Sequence, residues 1–136
     1  MNMKDSVRIP LGLTAVRAGF PSPAEEYIEK TLDFNELLIR RPAATFCLRV
    51  AGDSMTGAGI FHGDILVVDR SVRPANGQIV IALLDGELTV KRLDSSGPRP
   101  VLRAENAGYP PIEVRPGSSF EIWGTVLFSI RNLEGK

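Results

Sequence analysis

Asp85-Gly86 limits the fold open to this chain more than any other feature. The pair sits between two apolar runs, Gln78 to Leu84 and Glu87 to Leu93. Asp-Gly in that setting is the chemistry of a two-residue hairpin loop, whose central positions both need positive φ. A lone hairpin is unstable in water, so its neighbours must complete a sheet. The sequence supplies them: Thr45 to Val50, Asp64 to Asp69, Val101 to Ala104, Ile112 to Val114 and Phe120 to Arg131 all read as strands. Ser95-Ser96-Gly97-Pro98 and Arg115-Pro116-Gly117-Ser118 mark further turns. Short strands at close intervals, with no long helical pattern between them, predict a compact, mainly β body.

The residues ahead of Thr45 have a different character. Residues 1–21 show no sustained periodicity and are broken by Pro10, Gly12, Gly19 and Pro21, which predicts an extended N-terminal arm. Ser22-Pro23-Ala24-Glu25 is a capping box with proline at the first helical position, and Tyr27, Ile28 and Leu32 would form the apolar stripe of a short helix. Asp33-Phe34-Asn35-Glu36 repeats the capping logic for a second short turn through Ile39, stopped by Arg40-Arg41-Pro42. The expected organisation is an arm over 1–21 and a β-rich domain over 22–136.

Composition removes several function classes. Sixteen basic and sixteen acidic residues cancel, whereas a protein that holds nucleic acid directly needs a concentrated basic face. No specific DNA binding is expected, and the basic pairs Arg40-Arg41 and Lys91-Arg92 read as solvated. Cys47 is the only cysteine and His62 the only histidine, which leaves no disulfide and no zinc or di-metal ligand set; no cofactor is expected. Cys47, between Phe46 and Leu48, reads as a small core residue of a reducing compartment. Nothing resembles a signal peptide or a span of about 20 apolar residues, so a cytoplasmic location is expected, with no membrane partner.

Chemistry concentrates at Ser54 and Lys91. Gly52-Asp53-Ser54-Met55 predicts a sharp bend that exposes Ser54 and aims successive backbone N–H groups at one point, as an oxyanion site requires. A serine hydroxyl needs a base. On the return strand of the hairpin, alternation places Glu87, Thr89 and Lys91 on one face, with Thr89 near enough to orient the Lys91 amine. To act as a base, that amine must fall from about 10.4 to about 7–8, at a cost of roughly 3–5 kcal/mol supplied by burial. A capping serine on a surface turn and a solvated strand lysine are the plainer interpretations of the same residues. A Ser-His-Asp triad would need His62 beside Ser54, and a lone histidine before Gly63-Asp64 fits a loop better. Trp123, in an alternating run from Phe120 to Ile130, suits core or dimer packing.

Gly52-Asp53-Ser54-Met55, Gly63 to Asp69 and Asp85 to Leu93, in this order and spacing, resemble the self-cleaving UmuD and LexA family of serine-lysine peptidases. Phe20-Pro21-Ser22-Pro23-Ala24 and Asp33 to Ile39 are more similar to UmuD than to LexA. The resemblance implies Ser54 as nucleophile, Lys91 as general base, and the Ser54 and Met55 amides as the oxyanion hole. It also implies cleavage of the chain's own arm between a small residue and glycine, here Ala18-Gly19. Ala18 suits a small pocket, Gly19 allows close backbone approach, and Pro21 and Pro23 keep the downstream segment extended; Leu11-Gly12 is a weaker competitor. Further implications are a homodimer, a RecA filament on single-stranded DNA as co-protease, and a UmuC-like subunit of an error-prone polymerase as partner in the response to DNA damage. A LexA-like repressor would need a DNA-reading domain ahead of the body, and only about 40 residues precede Thr45. A type I signal peptidase would need a membrane anchor, and a non-catalytic β-module would leave both side chains without a task.

Overall fold

In the computed structural model, which describes residues 6–21, 23 and 27–135, the chain forms two units, Met1–Arg40 and Arg41–Lys136. In the first, β1 (Arg8–Gly12) pairs antiparallel with β2 (Ile28–Asp33), Arg8 lying opposite Asp33 and Leu11 opposite Lys30. This corrects the helix expected through Tyr27, Ile28 and Leu32. Ile28 and Leu32 are four apart, a spacing that serves a period of two as well as 3.6, and the backbone of β1 supplied the partner that decided between them. Ser22, Ala24 and Glu25 of the expected capping box lie outside the described residues. The second helical signal holds: α1 (Phe34–Leu38) is capped by Asp33, whose carboxylate accepts the Asn35 N–H at 2.9 Å.

The second unit carries β3 (Thr45–Arg49), β4 (Ile65–Asp69), β5 (Ile79–Leu84), β6 (Glu87–Asp94), β7 (Val101–Arg103), β8 (Ile112–Glu113) and β9 (Phe120–Ile130). They form one antiparallel sheet in the order β3-β4-β9-β5-β6-β7-β8, so each run expected from the sequence is a strand. Asp85 and Gly86 take φ of 49° and 84°, and Leu84 pairs with Glu87 across them, as the two-residue loop requires. The eleven residues of β9 stand between β4 and β5, with Thr125 opposite both Asp69 and Val80. Gly124 lets these strands close up, since a Cβ there would lie 2.5 Å from Val68 Cγ1.

Alternation along the strands feeds two apolar clusters. Val50, Met55, Ile60, Leu66, Val68 and Ile81 form one; Val80, Ala82, Leu93, Leu102 and Val114 form the other. Ile81 lies between Val80 and Ala82 in β5, so the strand supplies both clusters from opposite faces. Each fully buried aliphatic side chain contributes roughly 1.5–3 kcal/mol.

Two buried carboxylates tie loops to this sheet. Asp69 accepts from the Ser71 hydroxyl and from Arg41, and these bonds hold its pKa down to about 2. Asp64 binds Arg131, which lowers its pKa. Arg41 thus reaches its buried partner at 2.5 Å while staying exposed, and part-buried Arg92 pairs with Glu105; of the basic pairs expected to be solvated, Arg40 and Arg41 are exposed, and the correction falls on Lys91, which is buried. Cys47 is exposed on β3, not in the core: its neighbours Phe46 and Leu48 share the other face of the strand, and only Leu48 packs against a cluster. Trp123 is part-buried against the first cluster, with the Arg70 guanidinium 4.4 Å from its ring centroid.

Candidate active site

The serine turn begins where β3 ends. Gly52 has φ 92°, a left-handed conformation that glycine adopts without strain, and its N–H donates to His62 Nδ1 at 3.1 Å. His62 is thus a loop residue that braces the turn. Three residues after Gly52, the Met55 side chain is only 1% exposed within the first cluster, which anchors the turn from below. A 3₁₀ turn, Thr56–Ala58, follows. Ser54, between the bend and the anchor, is half-buried at the rim of a cleft of about 310 Å³.

Lys91 enters the same cleft from β6 and is 7% exposed. Its Nζ lies 3.0 Å from Ser54 Oγ, 2.9 Å from Thr89 Oγ1 and 3.0 Å from the Val90 carbonyl oxygen. A neutral amine has two N–H bonds and one lone pair. As an ammonium, Nζ donates to all three oxygens; as the neutral amine, it donates to Thr89 and Val90 and accepts the Ser54 hydroxyl hydrogen. Burial pushes the Lys91 pKa below the usual lysine range. Burial therefore makes it easier for the amine to reach the neutral state, the one that can take a proton from Ser54.

Residues 48–52 and 88–91 line the cleft, together with Tyr109. Tyr109 belongs to a loop after β7 that runs beside the serine turn. Glu105 N–H donates to the Ser54 carbonyl at 2.8 Å, and Gly57 N–H donates to the Glu105 carbonyl at 2.7 Å. Asn106 Nδ2 donates to the Asp53 carbonyl at 2.9 Å, and the Tyr109 hydroxyl donates to Asp53 Oδ1 at 2.5 Å. Glu105 also accepts from Arg92, the neighbour of Lys91.

The structure thus brings Ser54, Lys91 and Thr89 together and puts Met55 directly beneath the turn. Ala18 and Gly19 lie in an exposed bend of the N-terminal unit, next to Phe20, which is 90% exposed. Asn106 and Tyr109 were not anticipated. Asn106-Ala107-Gly108-Tyr109 carries a turn signal in the sequence, but nothing in it announces a contact 53 residues upstream.

Among the described residues, no helix is long and apolar enough to cross a membrane. A family described as Peptidase S24-like matches residues 10–127. Protein ImpA of Salmonella typhimurium is 56% identical over 98 residues, covering 72% of this chain and 67% of that protein. Protein MucA of Escherichia coli is 46% identical over 123 residues, covering 90% of this chain and 84% of that protein. LexA repressor of Shewanella piezotolerans is less similar, 39% identical across 97% of this chain and 66% of its own length. The match through nearly the whole of the sheet, together with a serine and a buried lysine amine in contact, leads to one assignment: this chain belongs to the peptidase S24-like family of self-cleaving serine proteases and is UmuD-like within it.

Proposed function

We propose that the chain cuts its own N-terminal arm at Ala18-Gly19, with Ser54 as nucleophile and Lys91 as general base. The reading rests above all on the 3.0 Å contact between Ser54 Oγ and a buried Lys91 Nζ. Neutral Lys91 takes the hydroxyl proton as Ser54 Oγ attacks the Ala18 carbonyl carbon. The Ser54 and Met55 N–H groups receive the charge that develops on oxygen. The Lys91 ammonium then returns its proton to the Gly19 nitrogen, the C–N bond breaks, and water hydrolyses the acyl-serine by the same route in reverse. Thr89 and the Val90 carbonyl hold the amine in place throughout. An exposed, irregular segment such as Ala18–Phe20 is the kind of backbone a protease can draw into a cleft.

The cut chain, residues 19–136, is the mature form. It acts as a homodimer in the cytoplasm with a UmuC-like subunit of an error-prone translesion polymerase during the response to DNA damage. A RecA filament on single-stranded DNA accelerates the cut by favouring the docked arm, with no catalytic group of its own. No direct DNA contact by this chain is required.

Incubating the purified protein at pH values from 7 to 10 tests this. A fragment whose first residue is Gly19 accumulates, faster at alkaline pH and faster still with activated RecA; mass spectrometry and N-terminal sequencing identify it. Ser54→Ala gives none, and Lys91→Ala slows the reaction roughly 10²–10⁴-fold. Equal cleavage by Ser54→Ala, or a cut elsewhere, refutes the assignment.

A further inference from the structure

The loop at 105–109 holds the two peptide groups that flank the nucleophile. The Asp53 carbonyl is bound by Asn106 Nδ2 and the Ser54 carbonyl by the Glu105 N–H. Both peptides are trans, so each N–H points opposite to the carbonyl of its own plane. The partner of the Asp53 carbonyl is the Ser54 N–H; the partner of the Ser54 carbonyl is the Met55 N–H. With both carbonyls drawn to one loop, both N–H groups are turned away from it, to a common side. The Asp53 carbonyl also accepts the Thr56 N–H, but at 3.3 Å, longer than the 2.9 Å of the Asn106 bond; without the loop both planes are held less firmly and the two donors lose their common aim.

We propose that Asn106 is a positioning residue for catalysis, fixing the Asp53–Ser54 peptide plane while the Glu105 backbone fixes the next, so that the oxyanion donors are aligned before substrate arrives. This builds on the assignment of Ser54 as nucleophile. The Asn106 side chain is itself set by its second group, since Oδ1 accepts the Gly108 N–H at 3.0 Å. Tyr109 supports the same turn through the Asp53 carboxylate at 2.5 Å. Gly57 makes the approach possible: a Cβ there would lie 2.5 Å from the Glu105 carbonyl oxygen. Glu105 in turn accepts from Arg92, whose Nη1 also donates to the Gly77 carbonyl at 2.6 Å. The loop is therefore referenced to the strand that carries Lys91, and donors and base are placed against one frame.

Asn106→Asp separates the two jobs of the side chain, because it keeps an acceptor for Gly108 and removes the donor to Asp53. Two rates are measured on the full chain with each variant: appearance of the Gly19 fragment, and covalent labelling of Ser54 by diisopropyl fluorophosphate, which needs no arm. For Asn106→Ala and Asn106→Asp both rates fall about tenfold or more, the worth of one aligned oxyanion contact or its partner. For Asn106→Ala the pH midpoint set by Lys91 and the melting temperature stay near wild type. Tyr109→Phe falls less. Wild-type rates in both Asn106 variants overturn the proposal, as does a fall in rate matched by a shifted midpoint or a lost transition. Labelling without self-cleavage in the wild type refutes the self-cleavage reading while the labelling comparison still decides the role of Asn106. Absence of both in the wild type refutes the two together.

Discussion

At the scale of single residues, the burial of Lys91 costs stability, and the proposed mechanism is what that cost would serve. Its pKa is lowered by burial, so the folded state binds its proton less tightly than the unfolded chain does. The penalty is full below the lowered folded value. It shrinks as pH rises toward the unfolded value near 10.4 and is gone above it. Lys91→Met, neutral and of similar length, removes that dependence. Urea denaturation followed by Trp123 fluorescence should show the variant at least as stable as wild type at pH 7, with a flatter rise toward pH 10. A loss above about 1 kcal/mol at pH 7 would mean the amine's hydrogen bonds outweigh its desolvation. Ser54, Lys91 and Thr89 were legible in the sequence because strand alternation and one turn put them within reach. Asn106 and Tyr109 were not, since their partners lie more than 50 residues away and depend on how two loops pack.

Among the elements, the turn from Asp53 to Ala58 and the loop from Glu105 to Tyr109 behave as one unit, and Gly57 is the point of closest approach. The atom a new Cβ would strike is a backbone carbonyl oxygen, which cannot rotate aside as a side chain can. Gly57→Ala should cost about 1–3 kcal/mol by overpacking, read as a lower denaturation midpoint. It should also slow self-cleavage, because the loop that moves holds the Ser54 carbonyl. A variant as stable and as fast as wild type would show that the two segments are not coupled. The strands of the second unit were readable since each has its own apolar alternation and turn residues. The strand at Ile28–Asp33 was not, because a four-residue spacing fits either period and its partner, Arg8–Gly12, lies sixteen residues earlier. Cys47 illustrates a related limit: an apolar stretch reveals alternation but not which face is covered.

For the whole molecule, the seven-stranded sheet, both apolar clusters and the Ser54–Lys91 contact all fall within residues 41–136. A chain of residues 41–136 should therefore fold alone, with a single cooperative urea transition and Trp123 emission close to that of the full protein. A broad, non-cooperative transition would show that the first forty residues belong to the core. The position of β9 has a consequence for biosynthesis. A ribosome releases a chain from its N-terminus onward, so the arm emerges first and the strand that joins the two halves of the sheet emerges after every other strand described here. Until then the halves bearing the Ser54 hydroxyl and the Lys91 amine lack their common seam, so the contact between them is among the last features a nascent polypeptide can complete.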